Sequence, residues 1–211
     1  MVLLPPAGAR PGDFEAQGFH ESVRRRGIAV DLTEADIGLE PHAVGGAAAA
    51  LDALALAPAR ARGAGPIWLA GISIGAFNAL HCLAARVGGV AGALLIAPYP
   101  GTGDILAEIE ACGGPVAWSR TPQARGPEER AWWRWLCEES ARGAWPVPVH
   151  LSSGISDRFA RGQARIAELL PPQRIRMLPG GHDWATWRLL WDDWLDCGPL
   201  AVRATNPSRP G

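Results

Sequence analysis

Apolar and polar positions change period in regular alternation along this chain. Short apolar runs stand at 2–5, 28–32, 66–72, 91–98, 147–152 and 174–178. Between and after them lie stretches of helical period at 13–26, 44–62, 75–86, 159–169 and 184–196. One segment, 99–146, interrupts the rhythm. Short strands alternating with helices predict a parallel sheet covered by helices on both faces. The fold class is therefore α/β, with a doubly wound, mostly parallel, six-stranded sheet. The length of 211 residues suits one domain over 1–211. The tail 198–211 is rich in Pro, Ala and Arg, and loose order is expected there.

Chemistry first shows where the third run meets the next helix. Pro66-Ile-Trp-Leu-Ala passes into Gly71-Ile-Ser73-Ile-Gly75 and then a helical segment. Strand, tight turn and helix put Ser73 at an apex. A serine hydroxyl is a poor nucleophile unless it stands clear of the chain beside a base. Side chains at Gly71 and Gly75 would collide with the neighbouring strand and helix, and the helix N-terminus favours developing negative charge. A plain strand-to-helix turn with Ser73 as a helix cap explains the same five residues. Two loops further along the chain decide between them. The run at 147–152 ends in Ser153-Gly-Ile-Ser-Asp157, and the run at 174–178 ends in Pro179-Gly-Gly-His182. Serine, acid and histidine thus fall, in that order, at the C-terminal ends of three strands, the edge where open α/β sheets bind ligands. Asp104, after the fourth strand, is a rival acid.

These motifs resemble those of the α/β-hydrolases, in particular bacterial serine esterases and lipases, from Val2 to about Asp196. The resemblance implies the strand order 2-1-3-4-5-6. It implies Ser73 as nucleophile, His182 as general base and then acid, and Asp157 as the group that orients the imidazole. It implies oxyanion donors at the backbone of Ile74 and in the loop after the first strand, which reads Pro5-Pro6-Ala7-Gly8-Ala9 where the family usually has His-Gly. Proline cannot donate, so Ala7, Gly8 or Ala9 must, and position after the glycine favours Ala9. The two strands that customarily lead this fold are missing before Val2, whether the domain is minimal or its start truncated.

Under the same resemblance the segment 99–146 is a small lid. Its helix candidate carries Trp132, Trp133 and Trp135, which either shape acyl selectivity or pack the helix onto the domain. Trp184, Trp187, Trp191 and Trp194 are spaced 3, 4 and 3 apart, on one face of the last helix, where covering the sheet is the plain explanation. Trp184, two residues after His182, is the exception expected to line the pocket. His20, His42, His81 and His150 show no partner pattern.

Composition narrows the chemistry. The chain is 48% hydrophobic with net charge −1, and nothing suggests a nucleic-acid surface. All 20 basic residues are arginine. Without lysine there is no Schiff-base chemistry, no phosphate loop of the Walker type and no Ser-Lys dyad. Cys82, Cys112, Cys137 and Cys197 are widely spaced and read as free thiols, with no metal-ligand spacing. No signal peptide or membrane span is expected, so the reading is cytoplasmic. Together these features describe a serine hydrolase that cleaves a carboxylic ester through an acyl-enzyme, needing no cofactor. The substrate is a small-molecule ester or thioester with an apolar or aromatic acyl group. A thioesterase, a non-catalytic binding protein on this scaffold, and cofactor-free lyase chemistry remain alternatives.

Overall fold

The computed structural model describes residues 1–38, 46–126 and 129–201. Six strands form one sheet: β1 (Val2–Leu4), β2 (Thr33–Glu34), β3 (Ile67–Ile72), β4 (Val90–Ile96), β5 (Val149–Gly154) and β6 (Ile175–Leu178). Every pairing is parallel and the order is β2-β1-β3-β4-β5-β6. Side chains alternate across it with the period of two that a pleated strand imposes. Leu4, Leu69, Leu95 and Leu151 enter one buried cluster. Leu3, Ala70, Ile72, Leu94 and Ile96 enter the other.

The second face is covered by α1 (Asp13–Ala16), α2 (Phe19–Arg25) and α10 (Trp184–Cys197). The first is covered by α3 (Ala47–Leu51), which runs through a π-helical turn (Asp52–Leu56) into α4 (Ala57–Ala61), and by α5 (Ile74–Ala84). Residues 99–146 contribute α6 (Gly103–Ala111), α7 (Pro115–Trp118), a 3₁₀ turn (Pro122–Ala124) and α8 (Glu129–Arg142) to that same face. The chain then adds α9 (Ala160–Ala167), after β5.

Three boundaries differ from expectation. The single helix expected over 13–26 breaks at Gly18, which takes φ 78°. A Cβ there would lie 2.0 Å from Arg188 Nη1. The helix expected over 44–62 changes register around Asp52–Leu56. Pro58 has no N–H to return to the carbonyl four residues back, which explains a wider turn just before it. Its first two residues, with His42, lie outside the described residues, as does the tail beyond Ala201. The second strand was expected at 28–32. Ile28, Val30 and Leu32 do pack against the sheet, but the ladder begins later. Thr33 N–H donates to Met1 O and Ala35 N–H to Leu3 O.

The segment 99–146 is bound to the domain as tightly as the core. Trp132 and Trp133 are 0% exposed and Trp135 4%. The first two stack with centroids 4.8 Å apart, and Trp132 sets its edge on Phe77 of α5. The Trp133 Nε1–H donates to Pro100 O at 3.0 Å. The Glu129 carboxylate accepts from both the amide and the hydroxyl of Thr102. No described helix is long and apolar enough to cross a membrane.

Candidate active site

The turn between β3 and α5 is strained. Ser73 takes φ 54°, ψ −114°, a region that non-glycine residues rarely occupy. Four backbone hydrogen bonds hold it there. Its amide donates to Ile96 O, and its carbonyl accepts from Ala76, Phe77 and Tyr99. The glycines on either side permit the packing. A Cβ on Gly71 would lie 2.4 Å from Gly75 and Ala76 backbone atoms, and one on Gly75 would lie 2.1 Å from Leu4 O. Only glycine lets the loop after β1 cross so close to the first turn of α5.

Asp157 and His182 reach the same point from the ends of β5 and β6. The His182 Nε2 lies 3.0 Å from Ser73 Oγ, and its Nδ1 lies 2.8 Å from Asp157 Oδ2. The Asp157 side chain is fully enclosed and that of His182 is 6% exposed. The other oxygen of Asp157 accepts the Phe159 amide at 2.8 Å. Burial alone would push the Asp157 carboxyl up. The hydrogen bonds from His182 and the Phe159 amide outweigh it and hold the carboxyl below its ordinary value. Asp157 is therefore a carboxylate at neutral pH. Asp104 is exposed, in the first turn of α6. Asp183 points away from the site and caps α10 through the Thr186 amide at 2.8 Å.

The other expected site residues divide. The Ile74 amide is in the first turn of α5, where helix N–H groups have no partner within the helix. The Ala9 amide, the expected second oxyanion donor, donates to Pro6 O at 3.2 Å, closing a turn around Gly8 at φ 79°. That turn occupies the Ala9 donor, whereas the Ala7 amide, directly after the two prolines, finds no backbone acceptor among the described residues. Trp132, Trp133 and Trp135 lie in the core. Trp184 is half-buried and packs edge-on against Phe14, Phe19 and Trp187.

Three aromatic residues near the site escaped the sequence reading. Phe159 and Trp187 flank the His182 ring edge-on, with centroids at 4.9 and 5.0 Å. Tyr99 stands between Phe77 and Phe159 at 5.6 and 5.4 Å. Phe159 and Tyr99 lie just after strand ends, a position signal that was available. Trp187 sits in a periodic helix stripe and carried no such signal. Among the described residues no group of three His, Cys, Asp or Glu side chains is placed to hold a metal ion.

Comparison with solved structures places this architecture. FphF, a fluorophosphonate-binding serine hydrolase of Staphylococcus aureus, superposes with TM-score 0.62 at 12% identity, over 91% of this chain and 80% of that one. S-formylglutathione hydrolase (FrmB) of the same organism gives the same figures. E-2-(acetamidomethylene)succinate hydrolase superposes with TM-score 0.55 at 17% identity, over 93% and 90%. Est1E from Butyrivibrio proteoclasticus reaches TM-score 0.55 at 11% identity, over 92% and 85%. At these identities the likeness is one of fold, and the chain has the α/β-hydrolase fold. No family model and no curated protein sequence matches it.

Proposed function

We propose that this protein is a serine hydrolase acting on carboxylic esters through an acyl-enzyme. The observation that carries the reading is the continuous Ser73–His182–Asp157 hydrogen-bond chain, at 3.0 and 2.8 Å, on a strained strand-to-helix turn. Serine hydrolases and esterases among the proteins of like fold support it.

In this mechanism the Ser73 Oγ attacks the acyl carbon while its proton passes to His182 Nε2. The Asp157 carboxylate holds Nδ1–H and so presents Nε2 in the basic tautomer. The amides of Ile74 and, from the loop after β1, Ala7 receive the oxyanion. Each such donor contributes about 3 kcal/mol to the transition state. Collapse of the tetrahedral adduct breaks the bond to the alcohol oxygen, which takes the proton from His182. Water attacks the acyl-enzyme by the same route, giving the acid and free Ser73. A thioester can pass through every step, with a thiol leaving.

The test is fluorophosphonate labelling with mass spectrometry, then a panel of p-nitrophenyl esters and thioesters of varied acyl length. The adduct should sit on Ser73, and folded Ser73→Ala protein should take none. An adduct elsewhere, or none, refutes the hydrolase reading. Asp157→Asn should lower kcat by about 10⁴-fold, the scale for losing the correct histidine tautomer. Asp104→Asn should behave as wild type.

A further inference from the structure

The segment after β4 is held by its backbone at several points. The Tyr99 amide donates to Ser73 O, Pro98 O accepts from Gln163 Nε2, and Pro100 O accepts from Trp133 Nε1. These contacts place the Tyr99 backbone beside that of Ser73, and Phe77 and Phe159 fix its ring. The packing accounts for the ring but not for the hydroxyl. Phenylalanine would fill the same slot, yet this position holds the only tyrosine in the chain. Among the described residues no hydrogen bond engages that hydroxyl, and the residue is only half-buried. Burial, and to a lesser degree the Glu129 carboxylate, hold the phenol above its ordinary value. It is therefore a proton donor across the neutral range.

Sheet order says which part of a substrate it meets. β1 and its oxyanion loop lie on one side of β3, and β4 and β5 lie on the other. The leaving oxygen must face His182 Nε2, because that atom protonates it. Phe159 touches the His182 ring, and Tyr99 touches Phe159. The tyrosine thus stands on the leaving-group side of Ser73.

We propose that Tyr99 is the specificity-determining residue for the alcohol arm: its hydroxyl donates to an acceptor atom a few bonds beyond the ester oxygen, and its ring forms the wall along which that arm lies. The preferred substrates are esters of short alcohols that carry an ether or carbonyl oxygen, rather than esters of plain alkanols. The proposal rests on the hydrolase reading, and it has a readout that does not depend on turnover.

The probes are 2-methoxyethyl acetate and butyl acetate, which have the same length and the same acetyl group and differ by one ether oxygen. With a single tyrosine, protein labelled with ¹³Cζ-tyrosine shows one resonance. In folded Ser73→Ala protein that resonance should move saturably with the ether ester and much less with butyl acetate. In active enzyme, Tyr99→Phe should lower kcat/KM about tenfold for the ether ester, which is about 1.4 kcal/mol, and by less than about twofold for butyl acetate. The variant should melt as wild type does. A resonance that neither ester moves overturns the proposal whether or not turnover is seen, and so does an equal loss on both esters. Discrimination between p-nitrophenyl methoxyacetate and butyrate instead would move the contact to the acyl arm and overturn the assignment. A moving resonance with neither turnover nor fluorophosphonate labelling would refute the hydrolase reading and leave the binding role of Tyr99 standing.

Discussion

Two tryptophan-bearing helices of 14 residues cover opposite faces of the sheet, and they serve the site differently. In α8, Trp132 and Trp133 stack on each other, sealed from solvent; Trp132 sets its edge on Phe77 of α5, and Trp133 donates to Pro100 O, without touching His182. In α10, Trp191 and Trp194 stack likewise, but Trp187, near the helix start, sets its edge against His182 itself. Both helices bury tryptophans, at 132, 133 and 135 in α8 and at 187, 191 and 194 in α10. They differ in spacing and in where they start, since α10 leaves directly from the loop after β6 and α8 follows no strand. An aromatic stripe therefore means core by default, and it touches chemistry only where the helix leaves directly from a site loop.

The sharpest way to break this contrast is to remove a ring from α8. Trp132→Ala should cost about 3–5 kcal/mol of stability, the usual scale for a fully buried tryptophan. Activity per folded molecule should change little. Denaturant melts beside active-site titration measure the two quantities separately. A fall in kcat without loss of stability would return α8 to the lid role first expected of it.

Trp187→Leu should show the opposite balance. The edge contact contributes about 0.5–1.5 kcal/mol beyond area, and losing it frees the His182 ring. A kcat lowered up to about tenfold is expected, with a smaller stability change than Trp132→Ala gives. Rates normalised to titrated sites decide it. An unchanged kcat would make both helices equally passive.

At neutral pH the smallest effect is that of His150, and it grows only on acidification. His150, on β5, lies between Trp68 and Trp194, with centroids at 6.0 and 6.1 Å. Burial first, and the Arg174 charge second, push its ring down to about 4. The unfolded chain takes up this proton near 6.5 while the folded chain resists until about 4. Stability from this residue is thus complete above 6.5 and declines as pH falls through that window. Tracked from neutral pH down to the ring's folded value, the melting temperature of wild type should fall relative to that of His150→Phe. Parallel curves would remove the α10 face from the acid response.

The sheet and the serine, acid and histidine were legible in the sequence because each depends on local order. Strands alternate with helices, and Ser73, Asp157 and His182 each stand just past a strand end. The rest was set by neighbours distant in sequence or by competition for one hydrogen. Ala9 looked free until its amide closed a turn onto Pro6. At the break, Gly18 takes a left-handed φ of 78°, and Arg188, some 170 residues away, packs over it. Phe159 and Tyr99 stood at informative positions, but only the assembled sheet brings them together at 5.4 Å.

Gly75 has a consequence for how this scaffold can diversify. A single methyl at that position would strike both Leu4 O and Pro5 O, so the loop that offers Ala7 and the turn that offers Ser73 cannot drift independently. A library that randomises residues 5–9 while keeping Gly75 explores many loop sequences at one fixed backbone height. A library that also varies residue 75 displaces the Ser73 turn and the loop after β1 together. The Tyr99 and Phe159 rings meet each other, and Tyr99 meets Phe77, through side chains, which leaves more room to vary.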